Sequence, residues 1–335
     1  MTDLKKHMIV SSRVRLARNI RGIPFPFKMS PFEAATVTDK VYNALKSTGD
    51  YTLYRLSELS DIECLSLKER YLISNDLIKN RSIGSVILNP GETVAVMVNE
   101  EDHIRAQCVI SGFDLNTAYK EIKKVDDALN SSLDLAYDNE FGYITSCPTN
   151  LGTGLRASAL CFLPCLSTLN NLEQVVKSFA HINAEIRGVY GEGTKAAGYL
   201  YQVSNKTTLG VSEEELVEDV RAMVLELAEK EVKARERVLN MCDPDVIDNI
   251  MRSYGILTNA YKLTTEEFMS LSADVRMGAC LGYTSDIDEE VLNTLLLDVQ
   301  PATLIIKGGK NYTAEERDIA RAALVKRMLN KNTEV

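Results

Sequence analysis

Apolar and β-branched side chains crowd around a single break between residues 84 and 99. Ser85–Leu88, the turn Asn89-Pro90-Gly91-Glu92 and Thr93–Val98 together predict a β-hairpin. Phe141–Ser146, Ile186–Tyr190 and Tyr199–Val203 read as further strands, while Leu115–Leu129 and Leu172–His181 carry helical spacing. Regular βαβ alternation with Gly-rich phosphate turns is missing, so this part of the chain reads as a mainly antiparallel α+β region, not a doubly wound one. After Gly210 the period lengthens. Ser212 and Glu215 form a capping box ahead of an amphipathic run to about Asn240, in which Leu216, Val220, Val224 and Leu227 keep helical spacing. Thr264–Leu271, Glu289–Leu297 and Thr313–Leu329 continue the helical theme, the last opened by Thr313 and Glu316. The expected organisation is an α+β region over 1–245, an antiparallel sheet flanked by helices, followed by an all-helical domain over 246–335.

Composition narrows the class. The chain has 335 residues, 45% hydrophobic and 25% charged, which suits a soluble protein of about two domains. Lys plus Arg is 38 against 47 Asp plus Glu, a net charge of −9 that argues against nucleic acid and anionic membrane as partners. No apolar run approaches the roughly 18 residues of a membrane span, and no signal-peptide core follows Met1, so a cytoplasmic location is expected. The 7 cysteines are an odd number without a C-x-x-C pair, and His7, His103 and His181 lie far apart, so neither a disulfide framework nor a zinc site is expected. Cys161 and Cys165, set among apolar residues, read as buried thiols.

The familiar nucleotide signatures, G-x-x-x-x-G-K-S/T and the protein-kinase set, are absent. Arginines beside small or turn residues stand out instead. Ser11-Ser12-Arg13-Val14-Arg15 places two of them on one side of an extended segment. Arg105 closes Asn99-Glu100-Glu101-Asp102-His103-Ile104-Arg105, Arg156 follows Gly152-Thr153-Gly154-Leu155, and Arg187 opens Arg187-Gly188-Val189-Tyr190-Gly191-Glu192. Guanidinium groups match phosphate oxygens in bidentate fashion, and glycines let a backbone come close to a ligand. A triphosphate is the anion that such dispersed arginines would share.

Cys147-Pro148-Thr149-Asn150-Leu151-Gly152-Thr153-Gly154-Leu155-Arg156-Ala157-Ser158 closely resembles the signature of the phosphagen (guanidino) kinases. Asn99-Glu100-Glu101-Asp102-His103 and Ser12-Arg13-Val14-Arg15 match two further motifs in the family's order, and the resemblance spans roughly residues 10–245. It implies an antiparallel sheet flanked by helices and Mg-ATP-dependent phosphorylation of a guanidinium. Small-molecule members carry a helical N-terminal domain of about a hundred residues, for which the stretch before Ser11 leaves no room. The C-terminal helices instead contain Arg317-Asp318-Ile319-Ala320-Arg321-Ala322. With that R-D-x-x-R-A element the chain resembles the bacterial branch that phosphorylates arginine in proteins for quality control and degradation, alongside a zinc-binding activator and a protease-associated unfoldase. A kinase for a small guanidino compound and a non-catalytic phosphoarginine-reading adaptor are the alternatives.

The resemblance assigns roles to residues. Ser11, Ser12, Arg13, Val14, Arg15, Arg105, Arg156, Ala157, Ser158, Ala159, Leu160, Arg187, Gly188, Val189, Tyr190, Gly191 and Glu192 fall in its nucleotide-binding segments. Tyr71 stands where the family commonly has a His beside the adenine. Glu101 is the expected base, Glu192 the second substrate carboxylate, and Cys147 a group that orients the guanidinium without being phosphorylated. Glu100 and Asp102 are expected to reach Mg²⁺ through its waters and not directly. His103 is expected either to position backbone or nucleotide or to be purely structural. Arg317, Asp318, Arg321 and Ala322 are implied to form an allosteric phosphoarginine pocket, and the apolar helices around them a homodimer contact.

Overall fold

The computed structural model describes residues 8–179, 184–189, 197–284 and 287–330. Its centre is an eight-stranded sheet in the order β2-β3-β4-β5-β1-β8-β10-β9. These strands are β1 (Ile9–Arg18), β2 (Thr52–Arg55), β3 (Ser85–Leu88), β4 (Val94–Val98), β5 (Ile104–Ser111), β8 (Leu155–Phe162), β9 (Ala184–Gly188) and β10 (Leu200–Asn205). Every pairing in it is antiparallel. Two-residue strands β6 (Tyr137–Asp138) and β7 (Gly142–Tyr143) form a separate ribbon. The α+β expectation holds, and the Ser85–Val98 hairpin is β3–β4.

Alternation along the strands divides the sheet into two faces. On β1, Ser12, Val14 and Leu16 are buried while Arg13 and Arg15 between them are only partly so. Helices Leu115–Ser132 and Glu213–Met241 cover the apolar face, joined by Pro31–Lys46. The capping box at Ser212 and Glu215 starts the long helix as its sequence requires. Helices Pro31–Lys46 and Pro244–Asn259 go beyond the sequence expectations; each opens on a proline behind a Ser30 or Asp243 cap. The expected strand over Phe141–Ser146 shrinks to Gly142–Tyr143. Gly142 has φ 71, Tyr143 N–H donates to Gly152 O at 2.8 Å, and Ile144 N–H turns to Ala136 O at 2.9 Å. The run from Thr264 extends through Thr265–Leu281, and helices Glu289–Asp298, Pro301–Gly308 and Ala314–Asn330 follow. No helix among the described residues is long and apolar enough to cross a membrane.

The expected boundary at 245 lies just inside helix Pro244–Asn259, after the turn at Cys242–Asp243, and not at a gap in the core. Ile250, Ala273, Met277 and Leu281 pack into the same cluster as the sheet and its covering helices. A second cluster around Leu257, Phe268, Val275, Leu295 and Val325 fills the helical region itself. A further junction joins that region to helix Asp61–Glu69, whose last carboxylate caps Pro301–Gly308. Glu69 accepts from Ala302 N–H at 2.9 Å, Thr303 N–H at 2.7 Å and the Thr303 hydroxyl at 2.8 Å.

One buried arginine locks the layers together. Arg18, fully buried at the end of β1, donates to Asp126 through Nε at 2.7 Å and Nη2 at 3.0 Å. It also reaches Glu213 at 3.1 Å and Thr153 O at 2.8 Å, and its guanidinium lies 3.5 Å from the centroid of Tyr143. Removing one partner strands a buried charge, so Asp126→Asn should cost about 3–5 kcal/mol in urea unfolding. Asp39→Asn, which breaks the exposed pair with Arg55, should cost less than about 1 kcal/mol. Equal losses would refute the bracing role of Arg18.

Candidate active site

The register of three central strands brings the arginines together. Arg15 of β1 lies opposite Arg156 of β8 and Gln107 of β5, and Arg13 lies opposite Ser158. Arg105, the second residue of β5, lies two positions further along, opposite Ala17. Arg15, Arg105 and Arg156 open onto a cavity of about 230 Å³ also lined by Glu100, Glu101, Asp102, Cys147, Thr149 and Asn150, among others. Three segments far apart in the chain thus meet in one place.

Electrostatics distinguishes this arrangement from a set of surface charges. Burial, then repulsion from Arg105 and Arg156, pulls the Arg13 guanidinium down to about 10. Arg15 falls well below its ordinary value through burial and the neighbouring Arg13, Arg105 and Arg156, with Glu100 opposing. Neither forms an ion pair with a carboxylate among the described residues, and the buried Nε atoms of Arg15 and Arg156 have no hydrogen-bond partner among them. Cations held close together and left short of acceptors make a site for a polyanion.

The acidic turn supplies the opposite chemistry. Asn99 (φ 62) is buried and donates to Ala34 O at 3.0 Å and Ile83 O at 3.1 Å, pinning the turn. Glu100 is 2% exposed and receives Arg105 on both oxygens, at 2.8 and 2.7 Å, together with the Ser74 hydroxyl. Asp102 accepts from Asn19 Nδ2 and the Ser146 amide, each at 2.7 Å. These bonds brace the walls of the cavity. His103 is structural: Nδ1 accepts from Ile20 N–H at 3.0 Å, so Nε2–H donates to Pro24 O at 2.7 Å. Glu101 alone of the run is exposed; partial burial, then Asp102 and Glu100, hold its carboxyl above the usual range. That shift favours a proton acceptor. Cys147 lines the same cavity, 3.0 Å from the Thr149 hydroxyl. Among the described residues no group of three or more His, Cys, Asp or Glu could hold a metal ion.

Alternation leaves part of the expected nucleotide segments facing away. Ser12, Val14, Ala157 and Ala159 point to the core; Ser12 ties β1 to Gly112 O at 2.9 Å and to the Asp114 amide at 3.0 Å. Ser11, Ser158 and Leu160 share the arginine side of the sheet. Gly188 pairs with Tyr201, and Val189 N–H donates to Leu200 O at 2.9 Å. Tyr71 has φ 61 and receives Gln107 Nε2 on its carbonyl at 2.6 Å, which sets its loop beside Arg15. The signature glycines serve chain crossing, since a Cβ at Gly152 would lie 2.2 Å from Thr208 O and one at Gly154 2.7 Å from Ala17 O. Tyr190, Gly191 and Glu192 lie outside the described residues, as does His181.

The C-terminal element is less open than an exposed charge cluster would be. Arg321 is 1% exposed and donates to Val299 O at 2.9 Å, Leu263 O at 2.7 Å and Asp318 at 2.6 Å. Ala322 is fully buried, and Arg317 reaches Tyr312 O at 3.4 Å. Three residues at the main site escape sequence reasoning: Ser74, Gln107 and Glu185. Glu185 accepts from Arg156 at 2.9 Å and also pairs with Arg187. Its place two residues before Arg187 in a strand was the available signal.

Comparison with known proteins accords with this geometry. A family model described as "ATP:guanido phosphotransferase, C-terminal catalytic domain" matches residues 34–234. A second, "Protein-arginine kinase McsB C-terminal domain", matches residues 243–335. The chain is 41% identical to a protein-arginine kinase of Clostridium tetani, covering 96% of this chain and 95% of that protein. It is also 41% identical to one of Moorella thermoacetica, over 96% and 94%. Among solved structures, lombricine kinase aligns with a TM-score of 0.60 at 26% identity, covering 68% of this chain and 66% of that one. The duplicated taurocyamine kinase of Schistosoma mansoni aligns at 0.60 and 30% identity; 69% of this chain is covered and only 35% of the longer one. The chain belongs to the ATP:guanido phosphotransferase family, among its protein-arginine kinases.

Proposed function

We propose that this protein transfers the γ-phosphoryl group of Mg-ATP to arginine side chains of proteins. The observation that carries this reading is one cavity whose walls combine the cations Arg15, Arg105 and Arg156 with Glu101 and Cys147. Arg13, Arg15, Arg105, Arg156 and Arg187 hold the phosphates and neutralise charge as the phosphoryl group moves. Mg²⁺ enters as part of the nucleotide substrate. The acceptor guanidinium is protonated up to a pH above about 12 and is a poor nucleophile in that form. As its nitrogen attacks the γ-phosphorus, the N–P bond forms and the bond to the β–γ bridging oxygen breaks. ADP departs with that electron pair, and the proton leaving nitrogen passes to Glu101. The raised Glu101 carboxyl suits this step, which must be concerted with attack because no carboxylate deprotonates a free guanidinium at equilibrium. Cys147 orients the guanidinium and Glu192 supplies a second carboxylate to it.

The family resemblance carries the finer assignments. Tyr71 borders the adenine. Phosphoarginine, bound at Arg317, Asp318, Arg321 and Ala322, acts as an allosteric signal, which requires Arg321 to exchange the carbonyls of Val299 and Leu263 for a phosphoryl group. The enzyme works in the cytoplasm as a homodimer, with a zinc-binding activator and an unfoldase that receives the marked proteins.

Incubation with Mg-ATP should put phosphate on arginines of an unfolded protein and none on free arginine, read by mass spectrometry near neutral pH because the N–P bond is labile in acid. Phosphorylation of free arginine alone would favour a small-guanidino kinase instead. Glu101→Gln should lower kcat by about 100- to 10,000-fold with nucleotide binding retained. Cys147→Ser should reduce turnover without changing the unfolding midpoint; undiminished turnover would remove Cys147 from the mechanism.

A further inference from the structure

The five arginines differ in the company they keep. Arg13 and Arg15 have no carboxylate partner among the described residues, whereas Glu185 bridges Arg156 and Arg187. The bridge spans the sheet edge: Glu185 and Arg187 alternate on β9, Glu185 lies opposite Ser204 of β10, and Ser204 lies opposite Ser158 of β8. Two carboxylates therefore sit among the cations, and their settings are opposite. Glu100 is 1% exposed at its side chain and fixed by Arg105 and Ser74. Glu185 stands on the outermost strand, its side chain 26% exposed, with the two arginines as its partners. Arg156 keeps a second acceptor, the Ser204 hydroxyl at 3.0 Å, that survives loss of the carboxylate.

We infer that Glu185 is a built-in competitor for the nucleotide: its carboxylate holds Arg156 and Arg187 in position and must yield them to the phosphates of ATP. This rests on the reading of those arginines as the nucleotide site. Such a residue sets nucleotide affinity and discriminates by charge. A triphosphate that also engages Arg13 and Arg15 can displace the carboxylate, while a single phosphate competes with it less well. Glu185 is a positioning residue and takes no part in the bond-making step.

Calorimetric titration of the full chain with Mg-ADP and with a non-hydrolysable Mg-ATP analogue tests the idea. Glu185→Gln keeps the size of the side chain and removes its charge. Its nucleotide dissociation constant should fall about three- to tenfold, the range of one or two partly exposed ion pairs. The gain should shrink in high salt, as screening requires. In turnover the change should appear in KM for ATP and not in kcat, whereas mere structural damage would lower kcat and the unfolding midpoint together. Nucleotide binding by wild type that is equal to or tighter than by Glu185→Gln would overturn the role of Glu185 alone. A wild-type chain that binds no nucleotide would overturn the parent reading as well.

Discussion

Like charges crowded at a partly buried surface repel one another, and the rest of this structure is arranged around that repulsion. Strands from distant parts of the chain carry Arg13, Arg15, Arg105 and Arg156 to one side of a sheet. Burial first, and then the neighbouring arginines, lower the affinity of Arg13 and Arg15 for their protons. The ladders of β1 with β5 and β8 hold the guanidinium groups together, and the apolar layer beneath keeps the ladders in place. A polyanion converts the same proximity from a cost into an attraction. Phosphoryl transfer asks for this preorganisation, because fixed charges need no rearrangement when charge moves in the transition state.

Strand β1 shows how little separates a binding arginine from a structural one. Arg13 and Arg15 fall on one side of the pleat and Arg18 on the other. Arg18 meets Asp126, Glu213, two carbonyls and an aromatic face. Its neighbours in sequence meet other cations. The side chain is the same; Arg18 is paired with buried carboxylates, whereas Arg13 and Arg15 have no carboxylate partner among the described residues.

That contrast also marks what was legible in the sequence. Local rules sufficed for the Ser85–Val98 hairpin, the capping boxes at Ser212 and Thr313 and the alternation of Arg13 and Arg15, because each depends on neighbours within a few residues. Motif resemblance then gathered Arg105, Arg156, Glu101 and Cys147, which the structure brings to one cavity. Residues whose work depends on remote partners stayed hidden. Arg18 finds Asp126 across more than a hundred positions, and Glu69 finds Thr303 across more than two hundred. The segments assigned by resemblance are contiguous whereas one face of a strand takes every second residue, so the side chains of Val14, Ala157 and Ala159 face the core.

The Glu69 cap has a consequence for how the molecule opens. Two residues beyond it Tyr71 turns with a positive φ and receives Gln107, and further on Ser74 holds Glu100 against Arg105. The same carboxylate secures the first turn of Pro301–Gly308 in the C-terminal region. Fraying of that helix end should therefore loosen the segment beneath the arginines, and the amides of Ala302, Thr303 and the Tyr71 turn are expected to open together in hydrogen exchange. The last helices of the chain are part of the footing of the catalytic cleft.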